Sequence, residues 1–320
     1  MNNWSRVALA VALCIASLPA AAFPTKSVRV INASAAGGIA DIVMRPLNEE
    51  LSRRWGQPVV MENRPGASFN IGARECASAP ADGYTFCILH DAPFTQNPSL
   101  FKKLPFDPET SFTPITNLFF VTQTLGVNAS LGAKSLDDLA RVAKQKPGTL
   151  SYSAPGLGQM QFIENYFNRD RGTDMVRVPF KGGGPAVNDV LSGSTPITFL
   201  GLGNLYAHLE SGTVLGLVID GNERSPLFPN IPTLREIGYK GDVTQTFFGL
   251  YAPAGVPKEI IQTIRDTVAA IVSDPEFKNR VFVKNGLEAA IGQPDAFAAF
   301  LREQRQIAER LVKASGMEPQ

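Results

Sequence analysis

Apolar and polar residues alternate in short runs, then recur every third or fourth position, and the two rhythms take turns along most of the chain. SVRVI alternates as a strand does, and Ile39, Val43, Leu47 and Leu51 then stripe one face of a helix over 38–54. QPVVME is the next strand, NRPGASFNIG loops into a helix running to about Ala79, and YTFCIL is a strand followed by the loop HDAPFTQNP. FTPITNL and VTQTLGV add further strands. The middle third repeats the scheme. Ser135 caps a helix that Lys146-Pro147-Gly148 ends. LSYSA turns into PGLGQMQFIENYF, where Met160, Ile163 and Phe167 share a face. MVRVPF leads into KGGGPAVNDVLSG, and TPITFLG and VLGLVID read as strands. FFGLYAPAGVP precedes two long helices, 257–273 and 294–315. This alternation predicts an α/β protein with mostly parallel sheets flanked by helices. A chain of 320 residues suits roughly two domains.

The first residues depart from the pattern. Arg6 is followed by the apolar run VALAVALCIASL and then by PAAA, with Ala20 and Ala22 in the small-residue spacing of a cleavage site. The run falls short of the ~20 apolar residues that cross a bilayer. Residues 1–22 therefore read as a cleaved signal peptide, and the mature chain as a periplasmic protein beginning at Phe23. Cys14 leaves with the leader, so Cys76 and Cys87 remain in an oxidising compartment. They flank APADGYT, a turn that brings a helix back against a strand, and they are candidates for a disulfide or for two buried thiols.

Charge and chemistry narrow the function. Thirty basic and 29 acidic residues give a net charge of +1, and loss of Arg6 brings the mature chain to zero. No polyanion footprint exists, which argues against nucleic acid as a partner. The two histidines, His90 and His208, lie far apart. The chain has no G-x-S-x-G elbow, no H-E-x-x-H and no C-x-x-C. No metal, cofactor or catalytic set is expected, and an α/β hydrolase is a remote alternative. Three small-residue turns stand out instead: Ser34-Ala35-Ala36-Gly37-Gly38, Ser153-Ala154-Pro155-Gly156-Leu157-Gly158 and Lys181-Gly182-Gly183-Gly184-Pro185. Each joins a strand to a helix, where free N–H groups and the helix dipole suit an anion. Taken alone, Gly37-Gly38 is equally a tight turn needing positive φ. The dinucleotide fingerprint and the P-loop Lys-Ser/Thr are both absent.

The order of AAGGIAD, GQPVVMENRPGASFNIGA, APADGYT, NPSLFKKLPFDPETSFTPIT, SYSAPGLG, VPFKGGGPAVNDVLSG, RSPLFPNIPTLREIGY and FFGLYAPAGVP resembles the extracytoplasmic solute receptors of tripartite tricarboxylate transporters, the Bug or TctC-like family. The resemblance covers essentially the whole mature chain. It implies a type II-like periplasmic-binding-protein clamshell. One domain would hold 23–122 plus 247–320 and the other 123–246. It also implies capture of a small carboxylic acid between the lobes by a monomer, and delivery to a large and a small integral-membrane subunit. A receptor that docks on a signalling protein is the alternative. The candidate ligand set is Ser34, Ala36, Gly37, Gly38, Ile39, Asp41, Phe69, Asn70, His90, Ser153, Gly156, Gln159, Lys181, Gly182 and Phe248. Asp41 also suits a helix-capping role, Lys181 a solvated charge, and His90 either a ligand donor or a partner of Asp91.

Departures from the family pattern bear on the ligand. NASAAGG stands where relatives carry a proline-rich loop, PGASFN where they read PGAGGN, and His90-Asp91-Ala92-Pro93-Phe94 where they have small residues. Phe180 replaces a tyrosine, and no acid stands near Pro196 and Leu200. Phe69 and Phe94 point to an aromatic mono- or dicarboxylate, or else only plug the hinge side. An aliphatic dicarboxylate, such as a C4 to C6 acid, or citrate, remains the leading reading of the ligand as a whole.

Overall fold

The predicted strands divide between two sheets. The computed structural model describes residues 23–154, 157–179 and 183–319, so the signal peptide expected over 1–22 lies outside the described residues. In chain order the strands are β1 (Val28–Asn32), β2 (Val59–Asn63), β3 (Thr85–His90), β4 (Phe112–Val121), β5 (Gln123–Asn128), β6 (Ser151–Ser153), β7 (Val176–Arg177), β8 (Ile197–Gly201), β9 (Val214–Ile219), β10 (Phe247–Pro253) and β11 (Leu287–Ala289). The helices are α1 (Ile39–Trp55), α2 (Asn70–Ala77), α3 (Ala92–Thr95), α4 (Asn97–Leu100), α5 (Leu136–Gln145), α6 (Leu157–Phe162), α7 (Gly183–Ser192), α8 (Leu202–Glu210), α9 (Lys258–Val272), α10 (Pro275–Val281) and α11 (Pro294–Ser315).

One sheet runs β11-β4-β10-β3-β1-β2 and the other β7-β6-β8-β5-β9. Strand direction corrects the expectation of mostly parallel sheets: both are mixed. β1 is parallel to β2 and β3, and β6 to β7 and β8. β10 runs against β3 and β4, β5 against β8 and β9, and β11 against β4. The cause is connectivity. A βαβ crossover returns the chain to the end where the last strand began. β5 instead follows β4 after the single residue Thr122, and β10 also arrives from the other sheet, by way of residues 220–246. Each starts at the end where its neighbours finish, and so opposes them.

The crossing segments are stitched together. Val121 N–H donates to Thr246 O at 2.8 Å. Gln123 donates its backbone N–H to Asp220 Oδ1 at 2.7 Å and its Nε2 to Thr246 Oγ1 at 2.8 Å. Gln159 Nε2 donates to Asp220 Oδ2 at 2.7 Å. Burial pushes the Asp220 carboxyl up to about 7, although the Gln123 and Gln159 donors pull the other way.

Each sheet has its own core. Val43 and Leu47 of α1 and Ile264 and Val268 of α9 pack with Val30, Phe86 and Leu250. Leu139, Phe162 and Phe167 pack with Leu125, Phe199 and Val218. The last helix serves both sheets. Its Phe297 and Leu301 join Ile31, Leu89 and Tyr251, whereas Leu311 and Val312 belong to the second core. A bridge joins Cys76 of α2 to Cys87 of β3, 11 positions apart in sequence, with Cα atoms 6.2 Å apart.

Two outcomes follow. Replacing Cys76 and Cys87 together by Ser lowers the unfolding free energy by about 3 kcal/mol through loop entropy, as urea denaturation would read. Asp220 gives a pH effect of known sign. The folded state holds its proton between an unfolded pKa of about 3.9 and about 7. Stability therefore falls as pH rises through that window. Asp220→Asn still accepts from Gln123 N–H, and its amide N–H finds an acceptor once the Gln159 amide flips to turn Oε1, buried with no partner among the described residues, toward it. The variant should lose less stability than wild type between pH 5 and pH 8, and be the more stable of the two at pH 8.

Candidate functional site

The carboxyl ends of β1, β3, β6, β7 and β8 open on one cavity of about 630 Å³. That volume is ordinary for a small-molecule site, and the position is where open α/β sheets bind ligands. Val121, Gln123, Thr246 and Phe248, from the crossing segments, complete the lining.

The first sheet supplies Ser34, Gly38 and Ile39. Gly37, at φ 77°, makes the turn, and Gly38 caps α1 with extended backbone and no side-chain hydrogen bond. Asn32 Oδ1 accepts from Ser34 N–H at 2.9 Å and holds the loop's entry. The N–H groups of Ile39 and Ala40 have no acceptor among the described residues. The positive end of a 17-residue helix thus meets the cavity at Gly38 and Ile39, and the N-cap Gly38 offers no side-chain acceptor to its first N–H groups.

Asp41 does not line this cavity. Its carboxylate accepts from Gly37 N–H at 3.0 Å, Arg45 Nε at 2.8 Å and Asn63 Nδ2 at 3.2 Å. Burial favours its protonated form, but these donors outweigh burial and hold it below its usual value. It is a capping residue, and it also occupies the N–H of Gly37 that the sequence assigned to ligand.

The next loops form a wall. A Cβ on Gly72 would sit 2.6 Å from Ala33 Cα, so glycine lets α2 press against the loop after β1. That contact sets Ser68 and Phe69, just before α2, on the cavity. Phe69 stacks on His90 with centroids 4.2 Å apart and planes 3° apart, and His90 meets Phe248 edge-on at 4.9 Å. His90 Nδ1 accepts from Ala92 N–H at 3.1 Å and lies 2.9 Å from buried Asp91 Oδ1. The ring both lines the cavity and sits against Asp91. Phe94 is different. It is buried, stacked on Tyr251 at 4.3 Å, and belongs to the core.

From the second sheet come Ser153, Ala154, Arg177, Leu200, Gly201 and Asn204. Ser153 Oγ donates to Thr198 Oγ1 at 2.7 Å. Gly201 caps α8 without a side-chain bond, as Gly38 caps α1.

Several candidates fall elsewhere. Ala36, Gly37, Asp41, Asn70 and Gln159 are not on the cavity. Asn70 accepts from Asn97 Nδ2 at 2.8 Å, and it is Asn97 that reaches the lining. Gln159 turns inward to Asp220 because its position on α6 faces the sheet. Gly156, Lys181 and Gly182 lie outside the described residues. Phe247 and Phe248 alternate as a strand requires, Phe247 into the core and Phe248 onto the cavity. Asn204 and Gly201 were legible: Leu202, Leu205 and Leu209 mark a helix directly after TPITFLG. Arg177 and Gln123 carried no such signal, since a polar residue on a strand is ordinarily solvated. The described lining contains one cation, Arg177, one imidazole, His90, and no Asp or Glu.

Comparison with known proteins agrees with this geometry. Residues 43–317 match the model of the tripartite tricarboxylate transporter family receptor. A UPF0065 protein of Bordetella bronchiseptica is 31% identical over 97% of this chain and 93% of its own length. Rpa4515 of R. palustris, solved with adipate, superposes with a TM-score of 0.79 at 31% identity, over 93% of this chain and all of that one. MatC of Rhodopseudomonas palustris, solved with malate, gives 0.72 at 27% identity, over 91% of this chain and all of that one. Fold and sequence agree, and the chain belongs to the tripartite tricarboxylate transporter receptor (TctC) family.

Proposed function

We propose that this protein is a periplasmic receptor that closes on a small organic carboxylate and passes it to a large and a small membrane subunit. Its lobes are taken as 23–122 with 247–320, and 123–246. One observation carries the ligand class: the cavity meets the start of α1, where the N–H groups of Ile39 and Ala40 have no acceptor among the described residues, and it lacks any acidic side chain among its described lining. A carboxylate there accepts from the N–H groups of the first turn and meets the positive end of the dipole. Charge-assisted hydrogen bonds contribute about 1.5–3 kcal/mol each, so a few of them account for a micromolar complex at about −8.2 kcal/mol after ordering costs. No charged partner is needed at that end. Arg177 stands on the second sheet's side of the cavity, where it supports closure over an anion. Rpa4515 and MatC were solved with adipate and malate, both carboxylates, which supports the same reading.

Mass spectrometry of ligand released from freshly purified protein, followed by titration calorimetry, tests this. A carboxylic acid recovered at near-equal stoichiometry is expected; no binding to any acid of a broad panel overturns the reading. A substitution tests the donor set. Gly38 has extended backbone at φ −72° and ψ 171°, which accepts a following proline. Ile39→Pro therefore removes one N–H with the helix intact. It should weaken the acid roughly 10- to 100-fold beyond Ile39→Ala, the side-chain control.

A further inference from the structure

We infer that Phe69 and His90 form a specificity-determining wall that selects a flat, unsaturated ring in the body of the ligand; this rests on the carboxylate reading above. The backbone beneath Phe69 is the first observation. Gly66, Ala67, Ser68 and Phe69 run at φ 122°, 47°, 52° and 70°, so three consecutive residues with side chains occupy the left-handed region that glycine prefers. A bulky aromatic is the least suited of them. Asn97 Nδ2 holds Ser68 O at 2.9 Å, and Asn70 N–H donates to Ala67 O at 3.0 Å, so the loop is pinned in that form. Backbone strain of this kind gathers at binding sites, where surroundings enforce it.

The enforced conformation puts the Phe69 ring parallel to His90, beside the cavity that both line. His90 is itself fixed, by Ala92 N–H on one ring edge and by Phe248 across another. The side chains of Ile39, Leu100 and Leu200 make the adjoining lining apolar. A preformed aromatic surface beside an anion-binding helix start matches a ring that carries a carboxylate. Planar rings stack on such a surface, whereas a puckered ring of the same size cannot lie flat against it.

Benzoate and cyclohexanecarboxylate share a six-membered ring and one carboxylate but differ in planarity and π face, and titration calorimetry with both is the test. The wild-type protein should prefer benzoate by roughly 2- to 12-fold. Phe69→Gly should bring that ratio close to one while the melting temperature holds or rises, because glycine takes φ near 70° without strain. Phe69→Leu keeps bulk without a π face and should lose the preference as well. Equal affinity of wild type for the two acids overturns the proposal and leaves the carboxylate reading standing, as does binding of hexanoate or adipate with neither ring acid bound. A Phe69→Gly variant that weakens both acids equally and melts lower also overturns it, since packing alone would do that. Failure of every acid in the panel removes the carboxylate reading, and this inference with it.

Discussion

A single residue, Thr122, separates the strand that ends in the first sheet from the strand that begins in the second. That short crossing governs much of the rest. It forces β5 to run against its neighbours, and the return into β10 does the same in the first sheet. The strand ends that finish loops and the strand starts that leave the crossing therefore share one region. Ser34, His90, Gln123 and Phe248 meet there although they are scattered along most of the chain. The cavity is a consequence of that topology before it is a consequence of any side chain.

Charge is managed by placement. Asp41 stands in the first turn of the helix that meets the cavity, yet it is turned onto Gly37, Arg45 and Asn63. Asp220 sits behind the lining, bound to the Gln123 backbone and to Gln159, with its carboxyl raised by burial. Neither adds a negative side chain to the described lining. What remains there is backbone dipole, hydroxyl, amide, one imidazole and one guanidinium. The described lining of an almost neutral protein thus carries one positive side chain and no negative one.

The aromatic wall shows how distant elements fix one side chain. The Cys76–Cys87 bridge ties α2 to β3, and the contact of Gly72 with Ala33 brings α2 against the first loop. Phe69 at the start of α2 and His90 at the end of β3 then face each other. Stabilising contacts elsewhere offset the cost of left-handed backbone at Ala67, Ser68 and Phe69.

Local rhythm was enough to place most elements. Period-four apolar positions located α1 and alternation located β1, because burial on one face writes itself into neighbouring residues, whereas β10 read as a short apolar run and is buried on both faces. The glycine turn at Gly37-Gly38 was legible for the same reason: a tight strand-to-helix turn demands it locally. Strand direction was not legible, since alternation reports which face is buried and not which way a strand runs. Gln159 and Asp41 looked available in sequence, and only folding supplied the partners that occupy them. Phe69 and Phe94 looked alike in sequence; packing sent Phe94 against Tyr251 and Phe69 to the cavity. Arg177 and Gln123 reached the lining through the meeting of two sheets, a relation between residues far apart that no local pattern encodes.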